Sequence, residues 1–211
     1  MPRRIAAGIA LAISTGCSTG PARVNPPSIN ASRAAAAAVQ LCDKDHNGTV
    51  SPAEAAASPG LAAAFERTDT DHDGSLSAAE IAARIATWAK SGLGLVSQPI
   101  QITLNGRSLP GGRVELVPEP YLAQWLKPAG SDIAANGVCS PSLPPADLPQ
   151  GVRRGMNCGF YTVRIIHPEL KLPARYNAES TLGIEVRPDS DLFNPPRLAL
   201  ETRPEEGRGS R

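Results

Sequence analysis

Two stretches of twelve residues carry oxygen-bearing side chains at alternate positions and end in a glutamate. Residues 43–54 (loop one) read DKDHNGTVSPAE, and residues 69–80 (loop two) read DTDHDGSLSAAE. Both fit the pattern D-x-[DN]-x-[DN]-G-x₅-E, which is typical of calcium-binding loops. Ca²⁺ takes six to eight oxygen ligands, so a short loop must turn alternate residues inward and finish with a carboxylate that binds through both oxygens. The spacing therefore predicts two calcium ions.

The predicted ligands are side-chain oxygens, with the backbone carbonyl at position seven and direct or water-mediated binding at position nine. In loop one they are Asp43, Asp45, Asn47, Thr49 (carbonyl), Ser51 and Glu54. In loop two they are Asp69, Asp71, Asp73, Ser75 (carbonyl), Ser77 and Glu80. Loop two offers four carboxylates and loop one three, which predicts tighter binding in loop two.

An alternative is that the two loops are ordinary polar turns, in which Asp, Asn and Gly are also common. Two complete matches argue against it, as does the repulsion between carboxylates packed together without a cation. Residues 28–92 resemble a paired EF-hand domain. The resemblance implies that Val50 and Leu76, at position eight of each loop, meet as a short antiparallel strand contact. His46 and His72, at position four, are expected to point to solvent.

Helices must position these loops. The alanine-rich tract 32–42, with a possible Ser32 cap, predicts the helix that enters loop one, and residues 61–67 predict the helix that enters loop two. The helix after loop two begins with an S-x-x-E capping box, and its Ile81, Ile85 and Trp88 share one face. Residues 28–92 carry a net charge of −3, so their folding is expected to depend on the bound ions.

The chain begins with a short basic segment and a short apolar run, as an export signal does. Residues 14–18 resemble a bacterial lipobox, which implies that Cys17 is lipidated; secretion without a lipid and an unprocessed segment are the alternatives. We thus expect a signal peptide at 1–17, a tether at 18–27 and a polar tail at 203–211. The protein would be exported to the bacterial cell envelope, anchored through Cys17, or else periplasmic or secreted. The net charge of +1 does not suggest nucleic acid as a partner.

After residue 94 the pattern changes to short β-branched runs separated by Pro and Gly. Strands are predicted at 100–104, 113–117, 160–166, 182–186 and 197–200. The runs ITLNGRSLPGGRVELVP, SDIAANG, GFYTVRI and LPARYNAESTLG are similar to segments of transthyretin-like, carboxypeptidase-regulatory-like sandwiches. The expected fold class is therefore multidomain, α plus all-β: a compact paired EF-hand helical domain at 28–92, followed by a Greek-key transthyretin-like β-sandwich at 95–202.

Of the four cysteines, Cys17 is expected to be lipidated and Cys42 to be buried. Cys139 and Cys158 then remain as a pair that an oxidising compartment would allow to form a disulfide. Trp125 is expected to plug the core, or else to provide a stacking platform for a ligand.

No Ser-His-Asp or Cys-His arrangement is evident, so we expect no enzyme activity. The favoured hypothesis is that calcium acts mainly structurally, while the sandwich contacts another surface protein or a glycan. The alternative is an adhesion or carbohydrate-binding module with an accessory calcium-stabilised domain.

Overall fold

The computed structural model describes residues 24–202 of the 211-residue chain. Residues 28–92 (the loop half) contain five α-helices and two short strands, in the order α1 (Ala31–Cys42), β1 (Thr49–Val50), α2 (Pro52–Ala55), α3 (Pro59–Ala62), α4 (Phe65–Thr68), β2 (Leu76–Ser77) and α5 (Ala78–Lys90). Helices α2 and α3 each begin with a proline. Proline suits the first turn of a helix because the N–H that it lacks would have no acceptor within the helix there. Only α1 and α5 extend beyond a single turn.

The two long helices begin with side-chain caps. Asn30 caps α1, where its Oδ1 accepts a hydrogen bond from the Arg33 N–H at 3.0 Å, so the predicted Ser32 cap is wrong. Ser77 caps α5 through the predicted capping box with Glu80. Along α5, Ile81, Ile85 and Trp88 are all buried, as the helical spacing predicts.

Residues 95–202 (the sheet half) contain eight strands and three 3₁₀ turns. The strands are β3 (Ile100–Leu104), β4 (Arg107–Ser108), β5 (Arg113–Pro118), β6 (Ala129–Asp132), β7 (Val138–Cys139), β8 (Gly159–Ile166), β9 (Gly183–Val186) and β10 (Arg197–Leu200). The 3₁₀ turns are Pro120–Leu122, Pro145–Asp147 and Ala174–Tyr176. All five strands predicted from the sequence are present, to within a residue or two at their ends.

The strands form three sheets. Strands β1 and β2 pair with each other, and β6, β5, β8 and β9 form an antiparallel sheet in that order. The third sheet is built on β3, which pairs in parallel with β10 and antiparallel with β4 and β7. Residues that alternate along β5, such as Val114 and Leu116, are buried, whereas Arg113 is exposed. This alternation is the pattern that sequence reasoning uses to recognise a half-buried strand.

The predicted fold class is wrong. The loop half is not a compact helical domain beside a separate sandwich, since three of its five helices are single turns and its buried residues continue those of the sheets. One hydrophobic cluster runs from Ala34 in α1 to Leu200 in β10. Within it, Trp88 of α5 meets Phe160 of β8 edge to face, with ring centroids 4.8 Å apart.

Glycines explain how closely the two halves approach. A Cβ on Gly60 in α3 would lie 2.5 Å from the backbone nitrogen of Tyr161 in β8. A Cβ on Gly183 in β9 would collide with the Pro59 carbonyl. Helix α3 therefore packs directly on the backbone of two strands, which only residues without a side chain allow.

Candidate metal centre

Loop one follows α1 and ends in α2. Asp43 caps the carboxyl end of α1, and its Oδ2 accepts a hydrogen bond from the Gly48 N–H at 2.9 Å. One carboxylate oxygen from each of Asp43, Asp45 and Glu54 lies within 4.8 Å of the others. These oxygens come from both ends of the loop, which is the arrangement that one cation could bridge.

Loop two has the same construction between α4 and α5. The Asp69 Oδ2 accepts a hydrogen bond from the Gly74 N–H at 3.1 Å, and carboxylate oxygens of Asp69, Asp71 and Asp73 lie within 4.8 Å of one another. Glu80 is not a member of this group. Glu80 nevertheless reaches back to the start of loop two, where its Oε1 accepts a hydrogen bond from the Thr70 N–H at 2.8 Å.

One carboxylate oxygen of Asp69 is buried without a hydrogen bond. The residue is 7% exposed, and its Oδ1 has no hydrogen-bond partner among the residues that the structure describes. A buried carboxylate oxygen without a donor is costly, so it needs a compensating charge or hydrogen bond. A cation held between the aspartates of loop two would provide that charge.

The two position-twelve glutamates are held in the same way. The Glu54 Oε2 accepts hydrogen bonds from Ser51 N and Oγ at 2.9 and 2.7 Å, and its Oε1 accepts one from Lys44 N at 2.8 Å. These bonds, that from the Ser51 backbone above all, lower the pKa of Glu54 to about 2. Burial tends to raise the pKa of Glu80, but hydrogen bonds from Ser77 and Thr70 outweigh it and bring the pKa to about 2. Both glutamates are thus ionised at neutral pH, as calcium ligands must be.

The remaining predicted ligands lie in the loops with their side chains mostly turned to local hydrogen bonds. The Asn47 Oδ1 accepts from both N and Oγ1 of Thr49 at 2.8 Å, and the Asp73 Oδ1 accepts from both N and Oγ of Ser75 at 2.8 Å. Thr49 and Ser75 use their side chains in this way, so only their carbonyls are left to face a metal.

The backbone of each loop turns through the left-handed region. Gly48 and Gly74 have φ of 89° and 83°, as expected for the glycines at position six. His46 and His72 also have positive φ, 61° and 59°, although they are not glycines. Such residues are uncommon in this region and mark a loop whose path is tightly specified. Both histidines are exposed.

The two loops are joined by β1 and β2. Val50 pairs with Leu76 and Thr49 with Ser77 in an antiparallel register, and Val50 and Leu76 are both fully buried. The strand contact expected at position eight is therefore present.

The cysteine predictions have different outcomes. Cys17 lies outside the described residues, as do the whole predicted signal peptide, residues 18–23 of the predicted tether and the predicted polar tail. Cys42 is buried, and its burial raises the pKa of the thiol to about 11, so it is an unreactive core residue as expected. The predicted disulfide is absent, because Cys139 and Cys158 are both free. Cys139 pairs with β3 and its thiol points at the Ile100 carbonyl, whereas Cys158 directly precedes β8 in the other large sheet.

Sequence reasoning missed the buried acids of the sheet half. Glu185 in β9 has a fully buried side chain that accepts hydrogen bonds from Arg67, Arg84 and Trp88. Its strand reads Gly-Ile-Glu-Val. Alternation places the Glu185 side chain on the other face of this strand from Ile184, and that face would ordinarily meet solvent. No sequence signal pointed to this contact, because Arg67 follows Glu66 and Arg84 lies four residues after Glu80, so each arginine already had an acidic neighbour within the loop half.

A second polar region lies away from the loops. A groove of about 940 Å³ runs beside β5 and β6 and is lined in part by Arg153, Arg154 and Arg164. Among residues 24–202, none of these three guanidinium groups forms an ion pair. The groove is where the alternative function, adhesion or glycan binding, would be sought.

None of the helices in residues 24–202 is long and apolar enough to cross a bilayer. No protein-family model, curated protein or solved structure matches the chain significantly.

Proposed function

We propose that the chain binds two calcium ions, one in loop one and one in loop two, and that the ions act mainly structurally. The unpartnered, buried Oδ1 of Asp69 carries the proposal, because Asp69 lies beside Asp71 and Asp73, and among residues 24–202 none of these three carboxylates forms an ion pair. The glycine turns and the ionised glutamates of both loops support it.

A structural role follows from where the loops lie. Loop one continues α1 and loop two joins α4 to α5, and all three helices have residues that belong to or pack on the single core. An ion that holds both ends of a loop would hold the helices at those ends. By mass action it would stabilise the folded chain without needing to move it.

Calcium titration of the full chain by isothermal calorimetry tests the proposal. We expect two ions to bind, with dissociation constants on the order of 10⁻⁵ to 10⁻³ M, the range from sensor proteins to extracellular modules. Glu54→Gln and Glu80→Gln should each abolish one site, and Glu80→Gln should abolish the tighter one because loop two holds more carboxylates.

Glu66→Gln is the matched control. Glu66 lies in α4, outside both loops, so its substitution removes the same charge without removing a ligand. Its isotherm should remain two-site. Absence of heat and of any change in circular dichroism at millimolar calcium in the wild type would overturn the proposal.

Export and lipid anchoring at Cys17 stay predictions from the sequence, since the residues that carry them lie outside the described part of the chain. The alternative function, adhesion or carbohydrate binding, also stays a prediction.

A further inference from the structure

A buried ion-pair cluster connects the loop half to the sheet half. The Glu185 side chain, from β9, is fully buried. Arg84 binds it through two parallel hydrogen bonds, Nε to Oε1 at 2.7 Å and Nη2 to Oε2 at 2.8 Å. Trp88 donates its indole N–H to Oε1 at 3.1 Å, and Arg67 donates from Nε to Oε2 at 3.2 Å. We call Glu185, Arg67, Arg84 and Trp88 the Glu185 cluster.

The donors of the cluster come from the two helices that flank loop two. Arg67 lies in the last turn of α4, two residues before Asp69. Arg84 and Trp88 lie on α5, whose first turn contains Glu80. One carboxylate of the sheet half thus holds both the helix that delivers the first ligand and the helix that delivers the last.

The separation of α4 and α5 is the quantity that matters for an ion in loop two. The aspartates converge, and the Glu80 Oε1 accepts a hydrogen bond from the Thr70 N–H at 2.8 Å, so the place of Glu80 beside the aspartates depends on where α5 lies relative to α4. Pre-organised ligands bind more tightly because less order has to be created on binding. The Glu185 cluster fixes this separation through bidentate contacts, which are geometrically specific.

Loop one has no such connection. Among residues 24–202, no ion pair involves α1 or α2, the helices that flank loop one. The two loops therefore differ in how the sheet half acts on them.

We propose that Glu185 and Arg84 are positioning residues for loop two, through which the sheet half raises the calcium affinity of that loop and not of loop one. The inference rests on the proposed calcium binding. It assigns to the sheets a part in ion binding that none of the loop residues reveals.

The test uses the full chain with Glu54→Gln, so that only loop two binds. In this parent, Glu185→Gln and Arg84→Met should each weaken calcium binding roughly tenfold, the lower end of the loss expected when a metal site loses a supporting partner. Isothermal calorimetry gives the dissociation constants.

The signs separate positioning from simple electrostatics. Glu185→Gln removes a negative charge and Arg84→Met a positive one, so a purely electrostatic effect would weaken calcium binding in the first variant and strengthen it in the second. Weaker binding in both supports positioning. Unchanged or tighter binding in Arg84→Met overturns it.

Arg84→Lys controls for the case in which Arg84→Met does not fold, because lysine keeps the positive charge but cannot form the bidentate contact. We expect an intermediate loss of affinity, with Trp88 fluorescence, read in a Trp125→Phe background, remaining that of the folded protein. Unchanged affinity in this folded variant would also overturn the inference.

The same substitutions in a Glu80→Gln parent, where only loop one binds, should change affinity less than twofold. An equal loss in loop one would overturn the assignment to loop two. If the Glu54→Gln parent binds calcium but Glu185→Gln and Arg84→Met leave its affinity unchanged, this inference fails alone. If that parent binds no calcium, the proposed site in loop two fails with it.

Discussion

Glu119 shows how a single buried acid makes the contact between the halves sensitive to pH. Its side chain is 1% exposed and accepts hydrogen bonds from the Gly60 N–H at 2.7 Å and the Thr162 hydroxyl at 3.0 Å. Burial raises the pKa of this carboxyl above its usual value, although the hydrogen bonds oppose the shift. A raised pKa means that ionised Glu119 disfavours folding.

The sign of the resulting pH dependence follows from linkage. Because the pKa of Glu119 is higher in the folded than in the unfolded chain, its contribution to stability is fully present below about pH 4.5, the unfolded value, and is lost as pH rises through the folded value. Glu119→Gln keeps an oxygen that accepts both hydrogen bonds but cannot ionise. We expect the thermal unfolding midpoint of Glu119→Gln to rise relative to that of the wild type as pH increases from 4.5 to 7.

Glu169→Gln, at an exposed position, provides the comparison and should show no such gain. If the midpoint of Glu119→Gln instead falls relative to that of the wild type between pH 4.5 and 7, the pKa of Glu119 is not raised by folding.

At the scale of elements, α3 joins the two halves. It lies on β8 and β9 at backbone distance, and its Ser58 neighbour shares a hydrogen bond of 3.0 Å with the Tyr121 hydroxyl. A four-residue helix has little stability of its own, so packing must hold it in place.

Gly60→Ala tests this packing. The added methyl group would meet the backbone of β8, which cannot move aside as a side chain can, and we expect a loss of about 3 kcal/mol in the free energy of unfolding, typical of an overpacked core. Urea denaturation measures it.

Gly151→Ala is the control for α3. Gly151 has positive φ but nothing within 4 Å of an added Cβ, so only the left-handed strain of about 1–2 kcal/mol applies. An equal or smaller loss for Gly60→Ala would show that α3 can move away from the sheet.

The elements also show what sequence reasoning can reach. The two loops and the five strands were predictable because each depends on residue types at fixed, short spacing. The packing of α3 on β8, the Glu185 cluster and the free state of Cys139 and Cys158 were not, because each depends on which distant segments meet. The alternation of residues along β9 predicts which face is apolar. It does not predict that α4 and α5 pack on the other face and bury Glu185.

At the scale of the whole molecule, one core predicts one unfolding transition. Trp88 lies in the loop half and contacts Phe160 of the sheet half, so its fluorescence reports on the contact between them. In a Trp125→Phe background, we expect the urea midpoint from Trp88 fluorescence to coincide with that from far-ultraviolet circular dichroism, as it does for a two-state protein.

The measurement is made with and without calcium. Calcium should move both midpoints together to higher urea. Two separated transitions would mean that the loop half unfolds independently, and would restore the arrangement of separate domains that the structure contradicts.

The pairing of Val50 with Leu76 has a consequence for how the sites fill. If the loops bind calcium as proposed, ordering one loop around its ion also orders the strand that the other loop shares, so the second ion meets a site whose ordering cost is already reduced. We then expect positive cooperativity, which makes singly loaded molecules fewer than they would be for two independent sites with the same two affinities. The chain would then pass from empty to doubly loaded over a narrower span of concentration than two independent sites allow.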